Sequence, residues 1–202
     1  MNYKEYLPLF ELTDGNRLEL TTCRRSDDIL FNLCKFENIM GLGKTNFNSE
    51  QCFKSISFTH KTRISVNDEC MKKRIKTYHK GNVIRLGKNK FDPHSQNVCL
   101  CPGMPIICKV NSKKLDIVNN ETFTIKKIRG DTIYIKNDEK ELNIQSKDFQ
   151  NIFYLAYCIT CHSAQGETFD EAYTIYDFDK MDMRLRYVAL TRATDIKYIN
   201  IV

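Results

Sequence analysis

The chain has 202 residues, of which 42% are hydrophobic and 28% are charged, and its formal net charge is +6. This length and apolar content suffice for one α/β domain with a buried core, which argues against an intrinsically disordered protein. No apolar run approaches the roughly 18 residues of a transmembrane helix, and the polar start at Met1 does not resemble a signal peptide, so a membrane-spanning or secreted protein is not expected.

Nine cysteines without an export signal predict reduced thiols, because glutathione opens most disulfides in the cytosol and nucleus. We therefore expect an intracellular protein in a reducing compartment, either the cytoplasm or the nucleus. The basic charge balance is compatible with phosphate binding, but it does not by itself predict a nucleic-acid partner.

The first predicted unit is a short strand that leads into a helix. Leu18–Thr22 has the pattern of the strand, and Arg24 and Arg25 follow it. Ser26 or Asp27 can cap a helix whose apolar residues then recur at helical spacing. This order predicts two arginines at the junction of a strand and a helix.

A second unit of the same kind follows. Ile56–Thr59 alternates like a strand, meets Lys61–Arg63, and precedes a helix predicted from Val66 to about Tyr78. Turns that follow the strands of open α/β sheets are the places where such sheets bind ligands.

Residues 98–150 change character, since short β-branched segments alternate there with turn residues. The predicted strands are Met104–Val110, Thr122–Ile128, Thr132–Ile135 and Glu141–Gln145. The pattern is typical of a small antiparallel β-module.

The α/β pattern resumes after this module with three strands and one helix. The strands are Ile152–Ile159, Ala172–Tyr176 and Ile196–Val202, and the helix is Met183–Ala193. The predicted fold class is therefore α/β, with a parallel-sheet lobe made of residues 1–97 and 151–202 and an antiparallel insertion at residues 98–150.

Residues 160–170 read T-C-H-S-A-Q-G-E-T-F-D directly after a predicted buried strand. Small and polar residues let the backbone approach a phosphate, and Gly166 removes an obstructing side chain. Thr160 and His162 can donate hydrogen bonds to a nucleic-acid phosphate, and Gln165 can donate to or accept from a nucleotide or DNA. Each residue alone is ordinary in a loop, and only the whole string is specific.

Arg192 is the candidate phosphate-binding cation. A motor that hydrolyses a nucleotide between two lobes needs a cation that reaches the γ-phosphate from the lobe opposite the phosphate loop. Arg192 follows a helix in which we expect Tyr187, Val188 and Leu190 to pack inward. The alternative is a surface arginine that the helix dipole favours at a helix end.

Three further patterns do not predict a site. Gly41–Thr45 ends like a phosphate-binding loop, but Asn38 occupies the position of the first glycine. Cys158–His162 has the haem-attachment spacing but lies in a predicted buried strand. Cys99 and Cys101 are closer together than zinc ligands usually are, so no metal site is predicted.

The two C-terminal strings, T-x-H-S-A-Q-G-x-T-F-D and R-Y-V-A-L-T-R-A, resemble the fifth and sixth motifs of superfamily 1 helicases. Leu20–Asp27, Ser57–Thr62 and the segment from Pro102 to Glu121 resemble stretches of the RecD/Pif-type branch. The resemblance implies a RecA-like second motor lobe that carries an SH3-like insertion.

The resemblance also assigns residues to the nucleotide. It implies that Arg192 is an arginine finger and that Gln165 and Gly166 lie on the nucleotide side. In the opening segment Arg24 stands in the family's arginine position and Arg25 replaces a glutamine. Arg24 is therefore the second candidate catalytic residue, while which of the two arginines points inward stays open.

The same resemblance assigns residues to the nucleic acid. Thr160 and His162 would contact the strand, and Thr59, His60 and Lys61 at the end of the Ile56–Thr59 strand would contact it as well. The implied partner is single-stranded DNA, which this family of motors grips during translocation.

No phosphate loop and no acidic magnesium-binding pair occur in the 202 residues. We therefore expect the C-terminal motor lobe of an ATP-dependent DNA helicase, inactive alone, whose N-terminal lobe binds most of the ATP and Mg²⁺. Replication proteins are expected partners, replication or repair the expected setting, and the Asn-rich composition is compatible with a viral source. The alternatives are a stand-alone nucleic-acid-binding or adaptor module and a structural protein with relic motifs.

Overall fold

The computed structural model describes residues 25–39, 41–44, 47–78 and 81–202. The helices are α1 (Asp28–Leu33), α2 (Phe36–Ile39), α3 (His60–Thr77), α4 (Ser146–Ile152) and α5 (Met183–Leu190). The strands are β1 (Lys54–Ser57), β2 (Ile84–Leu86), β3 (Val98–Leu100), β4 (Pro105–Cys108), β5 (Thr122–Arg129), β6 (Thr132–Lys136), β7 (Glu141–Gln145), β8 (Phe153–Leu155), β9 (Cys158–Thr160), β10 (Tyr173–Tyr176) and β11 (Ile199–Ile201). None of the described helices has the length and apolar content that crossing a membrane requires.

Four parallel strands form the first sheet, in the order β11-β10-β1-β9. Ile56 of β1 lies beside Ile175 of β10 and Ile159 of β9, and all three side chains are buried. Helix α3 packs against β1 and β9. Leu30 of α1 and Leu190 of α5 belong to the same core cluster as Ile56. Ser55 and Ser57 of β1 are buried as well, so consecutive residues of this strand are covered although its sequence is partly polar.

A five-stranded antiparallel sheet has the order β7-β6-β5-β4-β8, and a separate hairpin pairs β2 with β3. Side chains along β5 and β6 alternate between buried and exposed, as expected when one sheet face covers a core. A register shift between Ile125 and Lys127 marks a bulge in β5. An α/β fold with a parallel sheet and separate antiparallel sheets is thus confirmed.

The predicted single strand Ile152–Ile159 is wrong, because three elements share that segment. Helix α4 ends at Ile152, β8 pairs with β4 in the antiparallel sheet, and β9 pairs with β1 in the parallel sheet. Between them the Ala156 N–H donates to the Pro105 carbonyl over 2.9 Å. Each sheet buries one short piece, so the apolar run is continuous although the chain changes sheets.

The start of α3 also differs from the prediction. The helix begins at His60 rather than Val66, and Thr59 is its N-cap. At the C-terminus a 3₁₀ turn occupies Ile196–Tyr198, so β11 is shorter than the predicted strand. The predicted strand Leu18–Thr22 lies outside the described residues.

The domain boundaries at residues 98 and 150 stay a prediction. Antiparallel pairing crosses both of them, since β3 pairs with β2 and β8 pairs with β4.

Candidate functional site

The carboxyl edge of the parallel sheet brings together residues that are distant in sequence. Ser57 of β1 lies beside Thr160 of β9 and Tyr176 of β10. Directly after β10, Asp177 adopts a left-handed backbone with φ 61°. Its carboxylate accepts the Thr59 backbone N–H over 3.2 Å and the Thr59 hydroxyl over 3.0 Å. Asp177, which sequence analysis missed, therefore ties the β10 loop to the start of α3.

The loop after β9 is closed by its own hydrogen bonds. The buried Thr160 hydroxyl accepts the Ser163 backbone N–H over 3.2 Å, and the Ala164 N–H donates to the Thr160 carbonyl. His162, Gln165 and Gly166 are exposed. This arrangement presents the three exposed residues to a ligand, while Thr160 shapes the loop.

Gly166 has φ 98°, and a Cβ atom there would meet nothing within 4 Å. Gly166 therefore serves the left-handed turn, a backbone conformation that residues with a side chain disfavour. The space next to Gly166 is open. The predicted contact of Gly166 and Gln165 with a nucleotide stays a prediction.

Two guanidinium groups converge on one carbonyl oxygen just beyond this turn. The Arg192 Nη1 donates to the Glu167 carbonyl over 3.1 Å, and its Nε donates to Val188 over 2.8 Å. The Arg25 Nη2 donates to the same Glu167 carbonyl and to the Thr168 hydroxyl, the latter over 2.8 Å. Arg192 is only 7% exposed, so packing holds its orientation.

This arginine pair has no carboxylate partner. In the ranges that the structure describes, neither Arg25 nor Arg192 forms an ion pair with an acidic side chain. Burial lowers the pKa of Arg192, and the positive charge of Arg25 lowers it further. Bringing two like charges together near the interior is unfavourable unless an anion joins them. The pair is thus suited to bind a phosphate, which arginine can contact through two parallel hydrogen bonds.

A cavity of about 300 Å³ opens beside the pair, and Arg25, Lys35, Tyr187 and Arg192 are among its lining residues. Tyr187 is 50% exposed, so the expectation that it packs inward is wrong, whereas Leu190 is buried as expected. The surface therefore combines three cations with an aromatic ring, a composition that suits a nucleotide.

The structure brings Arg25 to Arg192 and does not describe Arg24. Arg24 lies outside the described residues, so its catalytic role stays a prediction. Arg25, the alternative that the sequence left open, lines the cavity.

Two histidines stack on each other at the start of α3. The His60 ring stacks on the His94 ring, with 3.6 Å between centroids. Burial lowers the pKa of His60, and the nearby charges of His94 and Arg63 add to this, with a smaller effect from His162. Lys61 is exposed beside them. His60 and His162 therefore lie near each other, and the contact of His60, Lys61 and His162 with a nucleic acid stays a prediction.

Arg63 is a residue that sequence analysis did not select. Its guanidinium lies 4.3 Å from the Tyr154 ring centroid and donates to the His94 carbonyl over 2.6 Å. Arg63 belongs to the Lys61–Arg63 segment, which follows a predicted strand. Its position in the sequence could therefore have identified it as a candidate. Because Tyr154 lies in β8 and His94 precedes β3, Arg63 connects α3 to the antiparallel part of the chain.

A second cavity, of about 340 Å³, lies where the β9 loop meets the antiparallel sheet. Its lining residues include His162, Lys109, Asn119 and Asn120. Asn120 adopts φ 68°, the left-handed turn expected at this position. The segment between β4 and β5 thus places the ammonium group of Lys109 and the side-chain amides of Asn119 and Asn120 around the same cavity as His162.

The described residues do not fit a metal site. They contain no group of three or more His, Cys, Asp or Glu side chains placed to hold a metal ion. Burial raises the pKa of the Cys158 thiol to about 12 and that of Cys161 to about 11, so both stay protonated near neutral pH.

Comparisons with known proteins agree with this geometry. Residues 155–197 match the UvrD-like helicase C-terminal domain family. A search of curated proteins gives no match. Among solved structures, Bacteroides Pif1 bound to ssDNA superimposes with a TM-score of 0.68 at 16% identity, covering 91% of this chain and 51% of that chain.

Two other Pif1 structures are similar. Pif1 from Bacteroides in complex with ADP-AlF3 and ssDNA gives a TM-score of 0.62 at 18% identity, covering 100% of this chain and 58% of that chain. Pif1 from Candida albicans gives 0.57 at 13% identity, covering 87% and 53%. The chain therefore spans about half the length of these proteins.

The matched segment contains the β9 loop and Arg192, the residues on which the helicase resemblance rested. At sequence identities this low, the structural likeness establishes the fold alone. The predicted resemblance is confirmed: residues 155–197 match the UvrD-like helicase C-terminal domain family, and the fold of the chain is similar to that of Pif1 helicases.

Proposed function

We propose that this chain is the second motor lobe of an ATP-dependent DNA helicase. It would complete the ATP site with Arg192 and grip single-stranded DNA at the carboxyl edge of its parallel sheet. The observation that carries the proposal is the pair Arg25 and Arg192, whose guanidinium groups meet at the Glu167 carbonyl and pair with no carboxylate of the described residues.

The chemistry needed from such a lobe is electrostatic. During phosphoryl transfer, charge spreads over the oxygens of the γ-phosphate, and a fixed cation stabilises it. Arginine has five N–H donors, and Arg192 uses three of them on Val188, Glu167 and Thr191, which leaves two for a ligand. Packing holds the group in place before the phosphate arrives, so little reorganisation is needed.

The phosphate loop and the Mg²⁺ site belong to the other lobe in this proposal. The described residues offer no cluster that fits a metal ion, so we assign no step here to magnesium. ATP is the substrate that the two lobes would share, with Gln165 and Gly166 on its side of the cleft.

The same loop would couple the nucleotide to the nucleic acid. Glu167 accepts the arginine pair at one end of the loop, and His162 lines the cavity near Lys109 at the other. His60, Lys61 and Thr160 lie at the same sheet edge, and the DNA phosphates would bind along it. The similar Bacteroides proteins were solved with ssDNA and ADP-AlF3, which supports both ligands.

The test is the ATPase rate of the native polypeptide that contains this chain, measured with and without single-stranded DNA. We expect Arg192→Ala to lower the stimulated turnover by at least about 100-fold, because a transition-state cation is lost. Its DNA affinity should change little. Arg129→Ala is the matched control, since Arg129 is exposed at the end of β5.

Arg25→Ala and Arg24→Ala extend the same measurement. We expect Arg25→Ala to lower turnover, because Arg25 lines the cavity, and Arg24→Ala tests the catalytic role that the sequence predicts for Arg24. Full turnover in the Arg192→Ala protein would refute the arginine-finger role. DNA binding without any ATP turnover in the wild type would instead indicate a stand-alone nucleic-acid-binding module.

A further inference from the structure

The segment between β2 and β3, residues 87–97, carries a fully exposed aromatic side chain. We call it the 87–97 loop. Phe91 in this loop is 96% exposed. Leaving a phenylalanine ring in water forgoes the stabilisation that its burial would contribute. Single exposed apolar side chains are common on protein surfaces, so the case for a binding role depends on how the loop is built and on what surrounds the ring.

Side-chain hydrogen bonds hold the backbone on both sides of Phe91. The Asn89 side chain accepts the Phe91 N–H over 2.9 Å, and the Asp92 side chain accepts the His94 N–H over 2.9 Å. Ser95 bonds to the Gln150 side chain over 2.9 Å. These bonds fix the turn, so the outward position of Phe91 is not a consequence of a loose loop.

A largely buried ion pair anchors the same turn to the antiparallel sheet. Asp92 pairs with Lys109 and accepts the Tyr154 hydroxyl over 2.7 Å. The side chains of Lys109 and Asp92 are only 14% and 16% exposed. The loop therefore places Phe91 at a defined point on the molecular surface.

The surroundings of Phe91 favour nucleic acid over a protein partner. Lys88 and Lys90 precede it in the same loop and are exposed, and His94 stacks on His60 at the sheet edge. A stable protein interface needs about 800 Å² on each side. The other large exposed apolar side chains of the described chain lie on other segments, namely Ile29, Phe53, Val118 and Tyr187. One isolated ring with two exposed lysines in the same loop matches a single base and its neighbouring phosphates.

We propose that Phe91 stacks on one base of a bound single strand while Lys88 and Lys90 contact the adjacent phosphates. The proposal rests on the proposed DNA-binding function and adds a contact outside the sequence motifs. Stacking on an aromatic ring is tolerant of sequence, because every base has a π-face. The 87–97 loop would thus add affinity without adding base preference.

The absence of tryptophan from all 202 residues provides a direct reporter. In the Phe91→Trp protein the indole is the only tryptophan of the chain, and a stacked base should quench its fluorescence when a short oligothymidylate is added. Phe53→Trp is the matched control, since Phe53 is 67% exposed and precedes β1. We expect strong quenching at position 91 and little at position 53.

Affinity gives an independent readout. Phe91→Ala should raise the dissociation constant for oligothymidylate by about tenfold, as expected for the loss of one stacked base. Phe53→Ala should leave it unchanged. The loss should not depend on salt, because stacking releases no counterions, whereas Lys90→Gln should make the salt dependence less steep. Thermal unfolding of each variant confirms that the fold is intact.

The outcomes separate this inference from the function on which it rests. Quenching at position 91 together with weaker binding by Phe91→Ala supports it. If the wild-type chain binds the oligonucleotide but Phe91→Ala binds equally well and Phe91→Trp is not quenched, the stacking role is wrong and the proposed function stands. Absence of any binding by the wild type contradicts the stacking role and the DNA-gripping function together.

Discussion

Asp92 is the carboxylate that holds the 87–97 loop against the antiparallel sheet. Burial by itself raises its pKa, but the hydrogen bonds from Lys109 and Tyr154 outweigh burial and lower the pKa to about 2. The unfolded value is about 3.9. A depressed carboxylate pKa stabilises the folded state above the unfolded pKa, and this contribution disappears as the pH falls through the folded one.

Asp92→Asn should therefore lower the free energy of unfolding by about 2 kcal/mol at neutral pH, since the charged acceptor is lost. The difference from the wild type should shrink between about pH 4 and pH 2. Urea unfolding at a series of pH values measures it. Asp138→Asn, in an exposed turn, is the control. A difference that stays constant down to pH 2 would show that ionisation of Asp92 does not matter.

The arginine pair shows that sequence position alone does not tell which of two neighbouring arginines points into a site. Arg24 and Arg25 are neighbours, and the resemblance favoured Arg24 on alignment alone. In the structure Arg25 reaches Glu167, which is 142 residues away in sequence. No local pattern specifies that contact, because it depends on the packing that brings the start of α1 to the segment after α5, where the Asp27 N–H donates to the Thr194 carbonyl.

At the scale of elements, α3 is defined by its first turn. Thr59 caps the helix by accepting the Thr62 N–H over 3.2 Å, and its hydroxyl also donates to Asp177 over 3.0 Å. Sequence periodicity missed this start, because the first turn is polar and carries no apolar signal. The capping residue was visible, since threonine is a favoured N-cap.

Thr59→Ala should lower the free energy of unfolding by about 1 kcal/mol through loss of the cap, and Thr59→Ser should retain most of it. Urea denaturation gives the stability, and anisotropy with a labelled oligothymidylate gives the affinity. The hydroxyl is already engaged, so affinity should change little. Unchanged stability with weakened DNA binding would instead establish the direct contact predicted from the sequence.

The segment from Ile152 to Ile159 illustrates a limit of element prediction. Its apolar run was sufficient to identify buried β-structure, but not to show that β8 and β9 belong to different sheets. Sheet membership depends on partners such as Ile106 and Ile56, which lie far away along the chain. Local hydrophobicity led to the correct inference that this segment is buried. It also led to the wrong inference that the segment is a single strand.

At the scale of the whole molecule, one glycine connects α3 with the antiparallel sheet. Gly103 has φ 85°, and a Cβ atom there would lie 2.5 Å from the Arg74 Nη2. Arg74 donates to the neighbouring Pro102 carbonyl over 3.0 Å, and the Gly103 N–H donates to Ile125 of β5. The turn is therefore held from both sides.

Gly103→Ala should destabilise the protein by roughly 1–2 kcal/mol, because the left-handed backbone disfavours a side chain. Arg74 can move, so adding Arg74→Ala should not restore the loss. Gly87→Ala is the control, since nothing lies within 4 Å of its Cβ position. Differential scanning calorimetry measures the three variants. Full recovery in the double variant would assign the cost to the clash with Arg74 rather than to the backbone.

The local chemistry of the sequence determined the fold class and the motif loop at residues 160–170. Antiparallel strands alternate between buried and exposed residues, and a tight loop needs small residues, so each leaves a pattern within a few positions. Only the tertiary structure decided that Arg25 joins Arg192 and that His94 stacks on His60. Those contacts arise from the order of strands in a sheet and the packing of helices upon it, which are set by long-range burial and not by neighbouring residues.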